Sequence, residues 1–224
     1  MTYVRLSYDL SRDTPYPQGL WPVVIEHRFD MAQGAESNVF HLAMSNHVGT
    51  HIDGPNHFGK DKSPLNQFSI EHFIFDKPRV LEIPKAGGEI IYVKDLRPHA
   101  ESLATCELLM LRTGFGAIRA TNPGRYRDES PGFSAAAAQY VIDKLPQVRA
   151  LAIDTISFAC PQQMAEGIEA HQILLDQCPR SIFLIEDLNL EVGLDGLEQV
   201  IVAPLFGEGL DSSPCTILAK LKDR

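Results

Sequence analysis

Apolar runs in this sequence are short, and proline or glycine punctuates them. Arg79–Ile83 stops at Pro84, Glu107–Arg112 stops at Thr113-Gly114, and the longest run, Val200–Phe206, has Pro204 inside it. The first two read as strands, and even the longest run falls far below the roughly 20 residues that cross a bilayer. Further strand signals are Asn38–Met44, Ile90–Lys94, Arg149–Asp154, Ser181–Glu186 and Cys215–Ala219. Ser134 is placed to cap a helix running through Leu145, which Pro146 ends, and Gly167–Gln177 reads as a second helix. Strands outnumber helices and alternate with some of them after residue 105, which predicts an α/β fold with a mixed sheet. Pro and Gly are spread along the chain rather than pooled in a linker, so residues 1–224 are expected to form a single domain.

Twenty Lys and Arg stand against 29 Asp and Glu, a net charge of −9. Nucleic acid calls for clustered positive charge, and an anionic membrane repels such a chain, so no nucleic acid and no membrane is expected as partner. The start, Met1 to Leu10, has no apolar core of signal-peptide length. Cys106, Cys160, Cys178 and Cys215 form neither a CxxC pair nor a zinc-knuckle spacing and read as reduced, mostly buried thiols. The expected location is cytoplasmic.

One segment stands apart, Asn46-His47-Val48-Gly49-Thr50-His51-Ile52-Asp53-Gly54-Pro55-Asn56-His57-Phe58. It holds three of the eight histidines in eleven residues, where an even spread would place about 0.4. His47 and His51 have the spacing of a helical zinc site, but Gly49, Thr50, Ile52, Gly54 and Pro55 are poor helix formers, and Val48 stands where such a site needs Glu. An extended segment fits instead. His51 and Asp53 then share one strand face, a bend at Gly49-Thr50 brings in His47, and a turn at Gly54-Pro55 delivers His57. Imidazoles with a carboxylate suit zinc, manganese or iron(II). His171 on the second predicted helix could complete the set. So could Glu186, which ends an apolar strand, where a carboxylate is either exposed at the sheet edge or placed at a site. His27, His41, His72 and His99 read as ordinary core or surface residues.

His47-x-Gly49-Thr50-His51-x-Asp53-x-Pro55-x-His57 resembles, at all seven fixed positions, the signature of the cyclase-like metal-dependent hydrolases. That family includes bacterial-type kynurenine formamidase and isatin hydrolase. The likeness extends to Asp9-Leu10-Ser11, Trp21-Pro22, Leu111–Gly114, Ile153-Asp154-Thr155-x-Ser157, His171–Leu175, Ile185–Leu188, Pro204-Leu205 and Gly209-x-Asp211-x-Ser213-Pro214. The resemblance implies a swivelling β/β/α type fold, a homodimer or homotetramer, and one or two zinc ions per subunit, with manganese as the alternative. It implies that His47, His51 and Asp53 hold a first metal and that Asp53 bridges to a second held by His171 and Glu186. It makes His57 the catalytic acid/base, and Trp21, in its Trp-Pro context, a substrate contact. Two positions depart from the family pattern. Ala159 stands where an acidic residue is frequent, and Ser212 stands where Asp-Gly-Ser-Pro has its glycine.

The implied reaction is hydrolysis of an amide by metal-activated water. N-formylkynurenine would give kynurenine and formate, or a related small cyclic amide, lactam or lactone would open. Trp21, Phe58, Phe73 and Phe75 lie near the motif in sequence, and an aromatic substrate could stack on some of them. An iron(II) oxygenase with a two-His, one-carboxylate triad competes with this reading, although His47 and Glu186 favour hydrolysis. A metal-binding protein without turnover is the other rival. A serine hydrolase is not expected, because Gly132-Phe133-Ser134 lacks the second glycine of a nucleophile elbow.

Overall fold

Four of the apolar runs pair side by side as parallel strands: Pro78–Glu82, Leu108–Arg112, Ala150–Ile153 and Phe183–Glu186. The last three are buried almost throughout, as parallel strands covered on both faces must be. This computed structural model describes residues 2–222. Antiparallel strands extend the parallel core. His51–Asp53 pairs with Phe183–Glu186 on one side and with Ser212–Leu221 on the other. Leu197–Pro204 and then Ile74–Phe75 follow beyond Ser212–Leu221, and Thr2–Arg5 pairs with the far end of that long strand. The result is one nine-stranded mixed sheet, nearly closed where Leu197–Pro204 approaches Pro78–Glu82.

Alternation along the strands sorts side chains between two cores. Leu109, Leu111, Leu151, Ile153 and Leu184 face Ala137, Ala138, Val141 and Ala170 from the helices Ala135–Lys144 and Met164–His171. Ile52, Leu108, Met110, Ala150, Phe183 and Ile185 face the other way, onto Phe73, Phe75, Val200, Val202 and Ile217. Since Ile52 and Ile185 point to the second core, their neighbours His51, Asp53 and Glu186 point to the helix side. The α/β expectation therefore holds, and the site lies where the sheet meets its helices. Val24–Phe29 and Val39–Ala43 form a separate hairpin with Phe29, Val39, Phe40 and Leu42 exposed.

Ser134 caps the first long helix by accepting from the Ala137 N–H. At its other end Arg180 donates to the carbonyls of Val141, Ile142 and Leu145, groups that a helix end leaves without partners. Three local expectations need correction. Ile90–Lys94 is a strand only at Ile90–Ile91. Tyr92 then starts the helix Val93–Leu96, because the Asp95 carboxylate reaches back to accept its N–H. The second long helix begins earlier, at Met164, and winds into a π-helix over Gln172–Gln177. Gly167 is not its start but its crossing point, since a Cβ there would lie 2.4 Å from the Ala159 Cα. The last strand begins at Ser212 rather than Cys215, because its first residues pair with the metal-motif strand. All four cysteines are buried and free, and no helix among the described residues is long and apolar enough to cross a membrane.

Gly167→Ala sets an overpacking cost of about 1–3 kcal/mol against a helix-propensity gain of up to about 1 kcal/mol. A net loss of about 1–2 kcal/mol is expected in urea unfolding. Gly124→Ala, which meets nothing within 4 Å, is the neutral control.

Candidate metal centre

The motif strand delivers its ligands as alternation requires. His51 and Asp53 lie on one face, each 1% exposed, and the antiparallel register sets Glu186 directly opposite His51. The His51 Nε2 stands 3.2 Å from the Glu186 Oε2 and 3.5 Å from the Asp53 Oδ1. His47 enters from the preceding bend, its Nδ1 3.0 Å from the Asp53 Oδ1. That bend needs Gly49. Its φ of 71° lies in the left-handed region, and a Cβ would meet Leu10 at 2.8 Å. His171 descends from the helix, its Nε2 3.3 Å from the Glu186 Oε1. One ligand atom from each of His47, His51 and Asp53 lies within 4.8 Å of the others, and the same holds for Asp53, His171 and Glu186. Asp53 belongs to both groups and is placed to bridge two ions.

The donor set fits a divalent cation on the state of its atoms. The His51 Nε2 and the Asp53 Oδ1 are buried and accept or donate no hydrogen bond. Leaving such atoms unpaired costs about 1–3 kcal/mol each unless a ligand takes them up. The tautomers agree. Gly49 O accepts from the His51 Nδ1 at 2.8 Å and Gly167 O accepts from the His171 Nδ1 at 2.7 Å, which turns both Nε2 atoms toward the site, that of His171 against the Glu186 Oε1 at 3.3 Å. Glu186 is held by the Ser157 hydroxyl at 3.0 Å and the Phe158 N–H at 2.8 Å.

The turn after Glu186 is anchored by a buried ion pair. Asp187 adopts φ 58°, unusual for a residue with a side chain, and Arg119 grips its carboxylate with two bonds of 2.6 Å. Tyr126 donates to the same carboxylate at 2.7 Å. The Thr50 hydroxyl donates to the Asp187 carbonyl at 2.6 Å, which ties the neighbour of His51 to the neighbour of Glu186.

His57 sits in a short turn, Pro55–His57, as the Gly54-Pro55 reading expects, and its ring lies 4.2 Å from that of His47. Phe58 packs edge-on against His57 at 4.7 Å and tilted against His171 at 5.1 Å. Phe73 and Phe75 instead belong to the second core. Trp21 is 73% exposed, with its backbone N–H on the Ser45 hydroxyl. Ser212 is buried opposite Asp53, and its hydroxyl donates to the Asn46 carbonyl at 3.4 Å. The sequence reading overlooked Asp211 as a site residue. Its Oδ2 lies 2.8 Å from the His57 Nδ1 and 3.0 Å from the His47 Nε2. Its place in the C-terminal Asp-Ser-Ser-Pro run, 154 residues from His57, was the available signal.

The charges oppose one another strongly. Burial pulls the His47 pKa down, but the Asp211 and Asp53 carboxylates outweigh it and raise it to about 10. Burial likewise lowers and nearby carboxylates more strongly raise His51 and His171. Glu186 is held well below the usual carboxylate range, because His171 and His51 overcome the effect of its burial.

The model of the Cyclase family, described as "Putative cyclase", matches residues 4–159. Kynurenine formamidase from Bacillus anthracis is 27% identical over 213 residues, covering 95% of this chain and 94% of that one. An uncharacterized protein from Haemophilus influenzae is 37% identical over 108 residues, covering 48% of this chain and 76% of its own length. The structure of isatin hydrolase A from Ralstonia solanacearum superposes with a TM-score of 0.83 at 20% identity, covering 99% of this chain and 92% of that one. The chain belongs to the cyclase family.

His47, protonated at neutral pH without metal, must lose its proton to ligate. Metal uptake at pH 7 is therefore expected to release at least one proton per chain, read as a buffer-dependent heat in titration calorimetry. Affinity should rise about tenfold per pH unit for each proton displaced. Asp53→Ala should abolish the uptake.

Proposed function

We propose that this cyclase-family enzyme is a metal-dependent hydrolase of C–N amide bonds in small molecules, with N-formylkynurenine or a related aryl amide or lactam as substrate. The observation that carries the reading is the pair of buried, unpartnered ligand atoms, His51 Nε2 and Asp53 Oδ1, beside a half-buried imidazole, His57. A divalent ion there, zinc or manganese, supplies Lewis acidity that brings the pKa of water from 15.7 to about 7 and polarises a carbonyl.

The chain's own groups do the rest. His47, His51 and Asp53 would hold a first ion, and Asp53, His171 and Glu186 would hold a second. His57 takes up a proton at Nε2 from the attacking water and delivers it to the leaving nitrogen. Phe58 covers the rings of His57 and His171 and keeps water from that side. A cavity of about 380 Å³ opens beside Ser157, which also donates to Glu186. Ile156, Ala159, Pro161 and Met164 give it an apolar wall for an aryl group. Arg127 and Asp128 also line it, paired to each other by two bonds of 2.7 Å. Trp21 is taken as a substrate contact on its motif context, and its backbone N–H is tied to Ser45, two residues before His47. Residues 1–224 act as one catalytic domain, in a homodimer or homotetramer. The exposed Phe29, Phe40 and Leu42 of the hairpin support that assembly.

The test is hydrolysis of N-formylkynurenine and isatin by metal-replete and chelated protein. Activity should vanish with the metal and return with zinc or manganese. His57→Ala should lower kcat by about 10²–10⁴-fold with metal content unchanged. Full activity after thorough chelation would overturn the reading.

A further inference from the structure

We propose that Asp211 is the positioning residue for the acid/base, fixing the tautomer and orientation of the His57 ring. The inference rests on the role given to His57 above. His57 makes no other side-chain hydrogen bond among the described residues, so Asp211 alone decides how its ring is turned.

The carboxylate is well placed to do so. Asp211 immediately precedes the strand Ser212–Leu221, whose first residue pairs with Asp53. Its carbonyl accepts the Gly54 N–H at 2.8 Å, which locks it against the turn that carries His57. Its Oδ1 accepts from the Asn46 Nδ2 at 2.7 Å, which leaves the Oδ2 to face the two histidines. That oxygen lies 2.8 Å from the His57 Nδ1 and 3.0 Å from the His47 Nε2.

A carboxylate only accepts, so each of these ring nitrogens must carry its proton toward Asp211. His57 is thereby left with a bare Nε2, the atom that must take and return a proton. The other nitrogen of His47, Nδ1, faces the Asp53 Oδ1 at 3.0 Å and is the one that gives up its proton when the ring ligates. One carboxylate oxygen thus sets the basic atom of the acid/base while also touching a metal-binding imidazole. The two rings, 4.2 Å apart, meet across it.

Asp211→Asn keeps the shape but adds a donor, which permits the opposite His57 tautomer. In zinc-loaded protein, nitrogen-15 NMR of the His57 ring should show a proton on Nδ1 in the wild type and its transfer toward Nε2 in D211N. With N-formylkynurenine as the probe, kcat should fall on the order of 10²-fold. KM and zinc content should stay unchanged, and Asp211→Glu should recover part of the rate. His57→Ala/Asp211→Asn should be no slower than His57→Ala alone. An unshifted tautomer, an equal loss in the His57→Ala background, or zinc lost from D211N would each overturn the proposal. If His57→Ala keeps full turnover with zinc in place, the acid/base reading itself falls. If His57→Ala is inactive while D211N matches the wild type, only the role of Asp211 falls.

Discussion

Two carboxylates, Asp53 and Glu186, share a space from which water is nearly excluded. With ligand oxygens within 4.8 Å of each other, their repulsion is roughly 3–4 kcal/mol at an effective dielectric of about 20. The fold must answer that charge. In the metal-free protein the surrounding imidazoles answer it, and the carboxylates in turn raise His47, His51 and His171 although burial works against their charge. A divalent ion answers it better, because it also takes up the lone pairs left bare on His51 and Asp53. The site is built for a cation, and the histidines stand in for it electrostatically.

The rest of the structure can be followed outward from that pair. The carboxylates come from different strands, so the antiparallel register of His51 against Glu186 brings them together. A slip of one residue in the motif strand would turn Ile52 into the site and bury His51 and Asp53 in the second core. The register is held at its end by the Arg119–Asp187 ion pair and by the Thr50 hydroxyl on the Asp187 carbonyl. The strained backbone at Asp187 is tolerated because its carboxylate is fully engaged. The helix that supplies His171 can approach only because Gly167 lets it lie against Ala159.

Much of this was legible in the chain. Alternation put His51 and Asp53 on one strand face, the glycines announced the bend, and Gly54-Pro55 announced the turn to His57. Buried parallel strands were visible as apolar runs, since such strands carry no polar face. Where the reading failed, local sequence was ambiguous. Leu197–Pro204 begins with polar Glu198 and Gln199 and ends in proline, so it hides as a strand. Ile90–Lys94 has strand composition, but the Asp95 cap turns it into a helix after two residues. Gly167 reads as a helix boundary because glycine usually is one, whereas here close packing requires it.

By itself the sequence determined the donor types, their local spacing and the strand that bears two of them, His51 and Asp53, because periodicity and turn chemistry act over a few residues. Only the tertiary structure decided that Glu186 faces inward rather than outward at the sheet edge, since register is a property of two strands. It alone brought His171 within 3.3 Å of Glu186 and Asp211 within 2.8 Å of His57. Those contacts bridge 15 and 154 residues of chain, distances over which no local pattern carries information and only packing does.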